Sequence, residues 1–214
     1  MRKTELVPVG LSGNLIEIFE ALSADYEIPA ILDDAPHRRD TSFEGVPILP
    51  LSRARECIDA QFLCLIGSER SFRKRDGIIA GLDVPVARFA RFVHPSARLS
   101  RFAELGEGAC LYQGVTVTSN ASIGTHVLVM PHTIIHHDVV VGSCSLIGAG
   151  VILAGRVRIG ASCYIGSGSA IRNGISIGDG ALVGMGSVVV RDVVPGSVVA
   201  GNPARPLPRR DMSD

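Results

Sequence analysis

The sequence of 214 residues has no tryptophan, few other aromatic residues and no net charge. Its 21 Lys and Arg balance 21 Asp and Glu. We therefore expect neither a nucleic-acid partner nor an anionic membrane surface, because both require a basic protein surface. No apolar run approaches the roughly 18 residues of a membrane span. The first residues also lack the apolar stretch typical of a secretory signal, so we expect none.

Cysteine pairs of the CxxC type are absent as well. The five cysteines are an odd number and are scattered along the chain, at Cys57, Cys64, Cys110, Cys144 and Cys163. This pattern is typical of reduced thiols, and it favours a cytoplasmic protein over a secreted one.

Glycine and the aromatic residues are distributed unevenly. Residues 91–214 contain 18 of the 24 glycines, whereas only Phe102, Tyr112 and Tyr164 among the seven Phe and three Tyr lie beyond residue 92. A change of composition on this scale predicts two domains, covering residues 1–90 and 91–214.

The second region carries a repeat with a period of six. Every sixth residue from Val93 to Val189 is Leu, Ile or Val, which makes seventeen consecutive positions. The fifth position of each hexad is small or β-branched, and glycine often follows the aliphatic residue. This pattern predicts a parallel β-helix of about six coils, each made of three hexads. Its interior is too narrow for aromatic rings, which explains their scarcity.

The first ninety residues alternate between predicted strands and helices. Strands are expected at Glu5–Val9, Glu27–Leu32 and Phe62–Ile66, and helices at residues 15–22 and 72–82. This order predicts a Rossmann-like βαβ domain with a parallel sheet, whose binding sites lie at the carboxyl ends of the strands.

The first turn of this domain, Gly10–Asn14, reads GLSGN and matches only part of a dinucleotide fingerprint. An ordinary glycine turn explains the same residues equally well, so both interpretations stay open. Pro8 is also unfavourable in a central strand, because proline has no N–H to donate to a neighbour.

Three polar residues in one hexad form the best candidate for a catalytic group. His136, His137 and Asp138 occupy its second to fourth positions. Two adjacent histidines beside an acid are unusual for a purely solvated turn. By contrast, His94 is expected only to pack, and His126 is expected at the surface.

The hexads resemble those of the left-handed β-helix acyltransferases of the hexapeptide family. The resemblance is carried by the hexad register, the tail SVVAGNPARPL (Ser197–Leu207), the opening FVHPSA (Phe92–Ala97) and the HHD cluster. It covers residues 5–207. Within that family, the whole chain resembles the sialic-acid O-acetyltransferases and nucleotide-amino-sugar N-acetyltransferases. These include enzymes for UDP-4-amino sugars of the bacillosamine pathway and for GDP-perosamine.

The resemblance implies that His137 is the general base and that Asp138 raises its basicity. The hexad geometry agrees, because a third-position side chain points outward and the residue stacked 18 positions later is Gly155. An ordinary imidazole accepts a proton near pH 7. The bare N–H of Gly155 can then stabilise the oxyanion of a thioester under attack.

The resemblance also implies where the two substrates bind. Acetyl-CoA, with no metal cofactor, would lie between neighbouring β-helices of a homotrimer. Its expected contacts are Gly155, Ser167, Met185 and Arg205, the last near a CoA phosphate. The nucleotide-linked sugar would contact Ser12, Gly13, Asn14, Asp33, Asp34, Gly67 and His136.

Three positions depart from the family pattern. Asn14 stands where the family often has histidine, Leu146 where it has a second histidine, and Met130 where some relatives have asparagine. A carboxylate at Asp33 or Asp34 suits the N–H donors of uracil and of guanine, so the sequence leaves UDP and GDP open.

The favoured function is N-acetylation of a nucleotide-linked 4-amino-6-deoxy sugar for surface glycans such as O-antigen. The first alternative is O-acetylation of sialic acid. A second is a β-helical metal enzyme of the carbonic anhydrase type, suggested by His132 and His137, although the third histidine is missing because position 96 is Ser. A non-catalytic scaffold is the third.

Overall fold

A computed structural model describes residues 3–38 and 40–207, in which a small α/β layer precedes a three-sided β-helix along the chain. The strands of the α/β layer are β1 (Thr4–Val9), β2 (Tyr26–Glu27), β3 (Ile31–Leu32), β4 (Ser42–Phe43), β5 (Val46–Leu49) and β6 (Gln61–Cys64). Its helices are α1 (Gly13–Ile16), α2 (Phe19–Asp25) and α3 (Arg75–Gly81), with 3-10 turns at Pro36–Arg38, Leu51–Glu56, Phe72–Lys74 and Val86–Arg88.

Strand β1 is central in a largely parallel sheet. The order is β2-β1-β3-β5-β4, and β6 pairs with β1. Val9 pairs with Leu32 of β3 and with Cys64 of β6, so these two strands lie on opposite edges of β1. Only β4 and β5 run antiparallel. The predicted strands are therefore present and parallel, whereas β4 and β5 were not predicted.

The interruption of the second predicted strand explains how Pro8 fits into β1. The segment Ile28–Ala30 separates β2 from β3. The N–H of Gly10 donates to Leu32 O at 2.7 Å, and amides two residues apart on a strand point to the same edge. The missing N–H of Pro8 therefore faces this unpaired segment and costs no ladder hydrogen bond. The predicted helix 15–22 is also interrupted, between α1 and α2.

Each hexad contributes one two-residue strand to the β-helix. These strands are β7 (Phe92–Val93), β8 (Arg98–Leu99), β9 (Glu104–Leu105), β10 (Cys110–Leu111), β11 (Thr116–Val117), β12 (Ser122–Ile123), β13 (Leu128–Val129), β14 (Ile134–Ile135), β15 (Val140–Val141), β16 (Leu146–Ile147), β17 (Ile152–Leu153), β18 (Arg158–Ile159), β19 (Tyr164–Ile165), β20 (Ala170–Ile171), β21 (Ser176–Ile177), β22 (Leu182–Val183) and β23 (Val188–Val189). A hairpin of β24 (Val198–Gly201) and β25 (Ala204–Pro206) ends the described chain.

Every third strand belongs to the same parallel sheet. We call the sheet from β7 to β22 the first, that from β8 to β23 the second, and that from β9 to β21 the third. The register is 18 residues, as in Val129 opposite Leu111 and Ile147. The aliphatic repeat therefore stacks into buried columns. The finer predictions, namely the Rossmann-like class, the number of coils and the boundary at residue 90, stay predictions.

The buried fifth-position hydroxyls complete their own hydrogen bonds inside the β-helix. Thr133 Oγ1 donates to Gly148 O at 2.7 Å and accepts from the N–H of Val151 at 3.2 Å. Ser145 does the same with Gly160 O and the N–H of Cys163, at 2.7 and 2.9 Å. A small hydroxyl can thus replace an aliphatic side chain at this position without leaving an unsatisfied polar group.

The three outer faces differ in polarity, and this difference determines where the α/β layer packs. The first sheet presents apolar side chains that the layer buries, including Phe92, Leu128 and Leu146. The second sheet leaves Ile134 and Ile152 exposed, by 37% and 43%.

The expectation that His126 lies at the surface is wrong. Its side chain is only 6% exposed and meets the ring of Phe89 edge-on at 4.5 Å. The α/β layer covers this corner, which the hexad pattern alone does not reveal. Burial, together with the charge of Arg75, lowers the pKa of His126 from 6.5 to about 4.

All five cysteines are free thiols, and four of them are buried. Among the helices of residues 3–38 and 40–207, none is long and apolar enough to cross a membrane.

Candidate active site

The candidate base His137 forms a hydrogen-bonded chain with two other side chains. His137 Nδ1 lies 2.8 Å from Asp138 Oδ2, and Asp138 Oδ1 accepts from Asn120 Nδ2 at 3.2 Å. Both His137 and Asp138 are about half exposed. The imidazole is thus oriented by an acid that is itself held from the coil below.

The electrostatics keep Asp138 ionised. The hydrogen bond from His137 lowers the pKa of Asp138, as do the bond from Asn120 and the nearby charge of Arg156. Because an ionised carboxylate only accepts, the Nδ1 of His137 must be the donor. A neutral ring then carries its free lone pair on Nε2. Asn120 and Arg156 were not predicted, although stepping 18 residues either way from Asp138 finds both.

Gly155 leaves the Nε2 edge of His137 uncovered. A Cβ added at Gly155 would lie 2.5 Å from Nε2 and 2.6 Å from Cε1 of His137, so no side chain fits there without moving the ring. Among the described residues, no acceptor is hydrogen-bonded to the N–H of Gly155. A proton acceptor and a free backbone donor therefore lie side by side, as acyl transfer requires.

The α/β layer has a cavity of about 520 Å³ at the carboxyl ends of β1, β3 and β6, which we call the nucleotide cavity after the prediction from the sequence that a nucleotide binds there. Four of the predicted sugar-nucleotide contacts line it, namely Ser12, Asp33, Asp34 and Gly67. The Ser12 hydroxyl is buried and has no hydrogen-bond partner in the described part of the chain. Gly13 follows Ser12 at the start of α1.

The two acids of the nucleotide cavity differ in how many hydrogen bonds their carboxylates already accept. Asp33 accepts from the N–H groups of Leu11 and Ala35 and from Arg38 Nη1, each at 2.8 Å. Burial alone would raise the pKa of Asp33, but these donors outweigh it and hold the pKa below its usual range. Asp34 is exposed, and within the described residues it accepts only from the N–H of Leu51, at 2.9 Å. Asp34 is therefore the freer acceptor.

A second cavity of about 450 Å³ adjoins the first and shares Gly67 and Ser68 with it. We call it the junction cavity, because it lies between the α/β layer and the first sheet. Its lining includes Asn14, Leu146 and Ser167. The backbone of Gly67 packs closely against the β-helix, since a Cβ there would lie 2.9 Å from Leu146 Cδ1 and the leucine side chain would have to shift.

The segment between the two cavities, Cys64–Gly67, is held from both sides. Arg75, which is fully buried, donates to Cys64 O and Ile66 O at 2.7 Å each. Asn14 Nδ2 donates to Leu65 O at 2.9 Å and to Gly67 O at 3.0 Å. Four consecutive carbonyl groups are thus bound alternately by two side chains.

Both of these side chains are also tied to the β-helix. Arg75 Nη1 donates to His126 O, and the hydroxyl of Tyr112 donates to Asn14 O at 2.8 Å. This fixes the cavities against the first sheet. No sequence pattern predicts this role of Arg75, because its partners are backbone oxygens.

The structure does not bring all the predicted site residues together in one chain. His137 and Gly155 lie on the edge between the second and third sheets, with the exposed His136 beside them. Ser167 and the exposed Met185 lie on the edge between the first and second sheets.

Arg205 lies on β25 and lines a third cavity, of about 240 Å³, together with Arg191. Its exposed guanidinium bonds only to a neighbouring carbonyl in the described chain.

The metal-enzyme alternative requires a cluster of ligands. Residues 3–38 and 40–207 contain no group of three His, Cys, Asp or Glu side chains that could hold a metal ion.

Comparison with known proteins agrees with this architecture. Residues 156–191 match the family model described as the hexapeptide repeat of succinyl-transferase. Among curated proteins, none matches the chain. The acetyltransferase domain of PglB from Neisseria gonorrhoeae, solved with acetyl coenzyme A, is 28% identical with a TM-score of 0.85. The alignment covers 96% of this chain and 100% of that one.

Two further solved structures are also similar to the chain. A point mutant of perosamine N-acetyltransferase from Caulobacter crescentus, solved with CoA and GDP-perosamine, is 26% identical with a TM-score of 0.85, over 96% of this chain and 97% of that one. WeeI from Acinetobacter baumannii is 27% identical with a TM-score of 0.81, over 95% and 100%. The chain therefore has hexapeptide repeats and the left-handed β-helix fold of the hexapeptide-repeat acetyltransferases, and it is similar to the nucleotide-amino-sugar N-acetyltransferases.

Proposed function

We propose that this acetyl-CoA-dependent sugar N-acetyltransferase acts on the amino group of a nucleotide-linked 4-amino-6-deoxy sugar, with His137 as general base. The observation that carries the proposal is the placement of His137 Nε2 against the bare backbone of Gly155, with Nδ1 bonded to an ionised Asp138. The surrounding fold is that of relatives solved with acetyl-CoA or with CoA and a nucleotide amino sugar.

The reaction follows from these groups. The amine nitrogen attacks the thioester carbonyl and forms the C–N bond, while His137 Nε2 takes the proton that the nitrogen loses. The N–H of Gly155 donates to the oxyanion of the tetrahedral intermediate. The C–S bond then breaks, and the proton passes from His137 to the leaving thiolate, so the products are an amide and CoA.

The nucleotide is assigned to the nucleotide cavity. Its position at the carboxyl ends of parallel strands is where such sheets bind ligands. The free carboxylate of Asp34 suits the base N–H donors, whereas Asp33 is occupied in shaping the loop. The unpartnered hydroxyl of Ser12 and the backbone at Gly13 and Gly67 are left for the diphosphate. Uracil and guanine both satisfy Asp34, so the experiment below includes both.

The working enzyme is proposed to be a homotrimer whose sites lie between subunits. The nucleotide cavity and Ser167 are on a different edge of the β-helix from His137, so one chain cannot complete the site alone. The exposed Ile134 and Ile152 of the second sheet supply an apolar surface for a neighbouring β-helix. Acetyl-CoA would lie in the groove, past Gly155, Ser167 and Met185, with Arg205 near a phosphate.

We place this reaction in the cytoplasm, in the synthesis of a surface glycan. The test is CoA release from acetyl-CoA over a panel of UDP- and GDP-linked 4-amino-6-deoxy sugars, with sialic acid included. Turnover is expected with one nucleotide series and not with sialic acid. Release with sialic acid alone would establish the O-acetyltransferase alternative, and no binding of acetyl-CoA would favour the scaffold.

A further inference from the structure

One buried polar atom in the junction cavity has no partner. The side-chain oxygen Oε1 of Gln113 is inaccessible to solvent and accepts no hydrogen bond from the described residues. Gln113 lines the junction cavity together with the apolar side chains of Met130 and Leu146. A buried amide oxygen without a donor costs about 1–3 kcal/mol, so its presence calls for an explanation.

The repeat explains why the protein itself supplies no donor. At other coils, a third-position side chain accepts the N–H of the residue 18 positions earlier. Ser167 Oγ accepts from Ala149 at 3.2 Å, and Asp179 Oδ1 accepts from Ala161 at 2.8 Å. For Gln113 that residue is proline, at position 95, and the residue 18 positions later is also proline, at position 131. Neither has an N–H.

Two other polar side chains of the junction cavity offer acceptors, beside the hydroxyl groups of Ser68, Tyr164 and Ser167, which can both donate and accept. Both amide hydrogens of Asn14 are used on Leu65 O and Gly67 O, which leaves its Oδ1 as an acceptor only. Glu17 adds an exposed carboxylate. No Arg, Lys or His is among the residues that line this cavity. Its chemistry therefore fits a ligand group that donates hydrogen bonds and carries no negative charge.

We propose that the junction cavity is the subsite for the amino group of the sugar, and that Gln113 determines specificity by accepting an N–H from it. This rests on the proposed function and goes beyond it by assigning the recognition of the amine. An amine brings only N–H donors, and its resting positive charge is matched by Glu17. A carboxylate such as that of sialic acid would meet the negative charge of Glu17 here and no Arg, Lys or His among the lining residues, which costs affinity.

The test measures equilibrium binding by calorimetry, without acetyl-CoA, to the full-length oligomer. The ligands are a nucleotide-linked 4-amino sugar, the matched sugar with a hydroxyl at that carbon, and the free nucleoside diphosphate. We expect the wild type to prefer the amine by about tenfold or more, since hydrogen bonds to charged groups contribute about 1.5–3 kcal/mol. The Gln113→Leu variant should lose most of this preference and bind the diphosphate normally.

Three further variants distinguish loss of the subsite from loss of structure. Gln113→Glu keeps the acceptor oxygens and should keep the preference. Glu17→Gln should reduce it, whereas the matched control Glu20→Gln, on the exposed side of α2, should not. An unchanged preference in a folded Gln113→Leu protein overturns the subsite, even if the enzyme acetylates amino sugars. A preference that depends on Gln113, without CoA release on any sugar, supports the subsite and overturns the proposed function.

Discussion

The proposed chemistry depends on two groups, His137 Nε2 and the backbone N–H of Gly155, which adjacent coils bring close together. The register of 18 residues does this without any loop, because third-position residues stack along one edge of the β-helix. The same register positions Asp138. Asn120 donates a hydrogen bond to it from the coil below, and the charge of Arg156 on the coil above helps to lower its pKa.

The Gly155→Ala variant adds one methyl group and tests the close approach of Gly155 to His137. The added Cβ would lie 2.5 Å from Nε2, so the imidazole must turn away from Asp138. We expect kcat to fall by about tenfold or more, because the oriented base is lost, while the thermal unfolding midpoint hardly changes. The control is Gly77→Ala in α3, where a Cβ meets nothing within 4 Å. Equal kcat values in the two variants would refute the stacking of Gly155 on the base.

His126 predicts a pH dependence of stability. Its pKa is about 4 in the folded chain against 6.5 for an ordinary histidine, so the unfolded chain binds more protons between these values. The free energy of unfolding should therefore fall as pH is lowered from about 6.5 to about 4, by at most about 1.4 kcal/mol per pH unit.

Urea unfolding at several pH values measures this slope. His126→Phe should flatten it relative to the wild type, whereas the exposed His37→Gln should keep it. A slope unchanged in His126→Phe would show that other groups account for the acid sensitivity.

At the scale of elements, the segment Cys64–Gly67 links the proposed nucleotide site to the β-helix. Arg75 and Asn14 hold its four carbonyl groups alternately and are each tied to the first sheet. A buried arginine whose acceptors are only carbonyl oxygens is costly to desolvate. Its retention is explained by the fixed position that it gives to the wall between the two cavities.

The Arg75→Met variant tests how much the segment Cys64–Gly67 depends on the hydrogen bonds from Arg75. It leaves three buried carbonyl groups without a donor, so the free energy of unfolding should drop by about 3 kcal/mol or more. Tyr112→Phe removes a single bond and should cost about 1 kcal/mol. Chemical denaturation of the two variants makes the comparison. A smaller loss of unfolding free energy in Arg75→Met than in Tyr112→Phe would show that Arg75 does not hold this segment in place.

The β-helix could be predicted from the sequence because one constraint acts at every hexad: a narrow interior accepts an aliphatic residue at each sixth position. The α/β layer was harder, since its strands follow tertiary pairing rather than a period. The break at Ile28–Ala30 and the pair β4–β5 are set by neighbours across the sheet. His126 was assigned wrongly for the same reason, because its cover comes from a distant segment.

The residues of the site also differ in how far the sequence predicts them. His137, Asp138 and Gly155 follow from the register alone, and Asn120 could have been found in the same way. Arg75 and the unpartnered Gln113 depend on backbone atoms and cavities that only coordinates reveal.

At the scale of the whole molecule, the account requires a neighbouring subunit. His137→Ala removes the base, and Ser68→Trp blocks the passage that the two cavities share. Each variant alone should be nearly inactive. After co-refolding in equal amounts, a site shared between subunits recovers about a quarter of wild-type activity, since about one interface in four pairs two intact halves. A mixture as inactive as its components would place the whole site within one chain.

The most direct test of the central claim is the chemistry of the product. Wild-type protein and His137→Ala would be incubated with acetyl-CoA and the nucleotide-linked 4-amino-6-deoxy sugar, with product identified by NMR and CoA release timed. The account predicts an amide at the sugar nitrogen, and a kcat about 10²–10⁴-fold lower in the variant, which is the usual contribution of a general base. An ester product, or a variant that acetylates the amine at the wild-type rate, would contradict it.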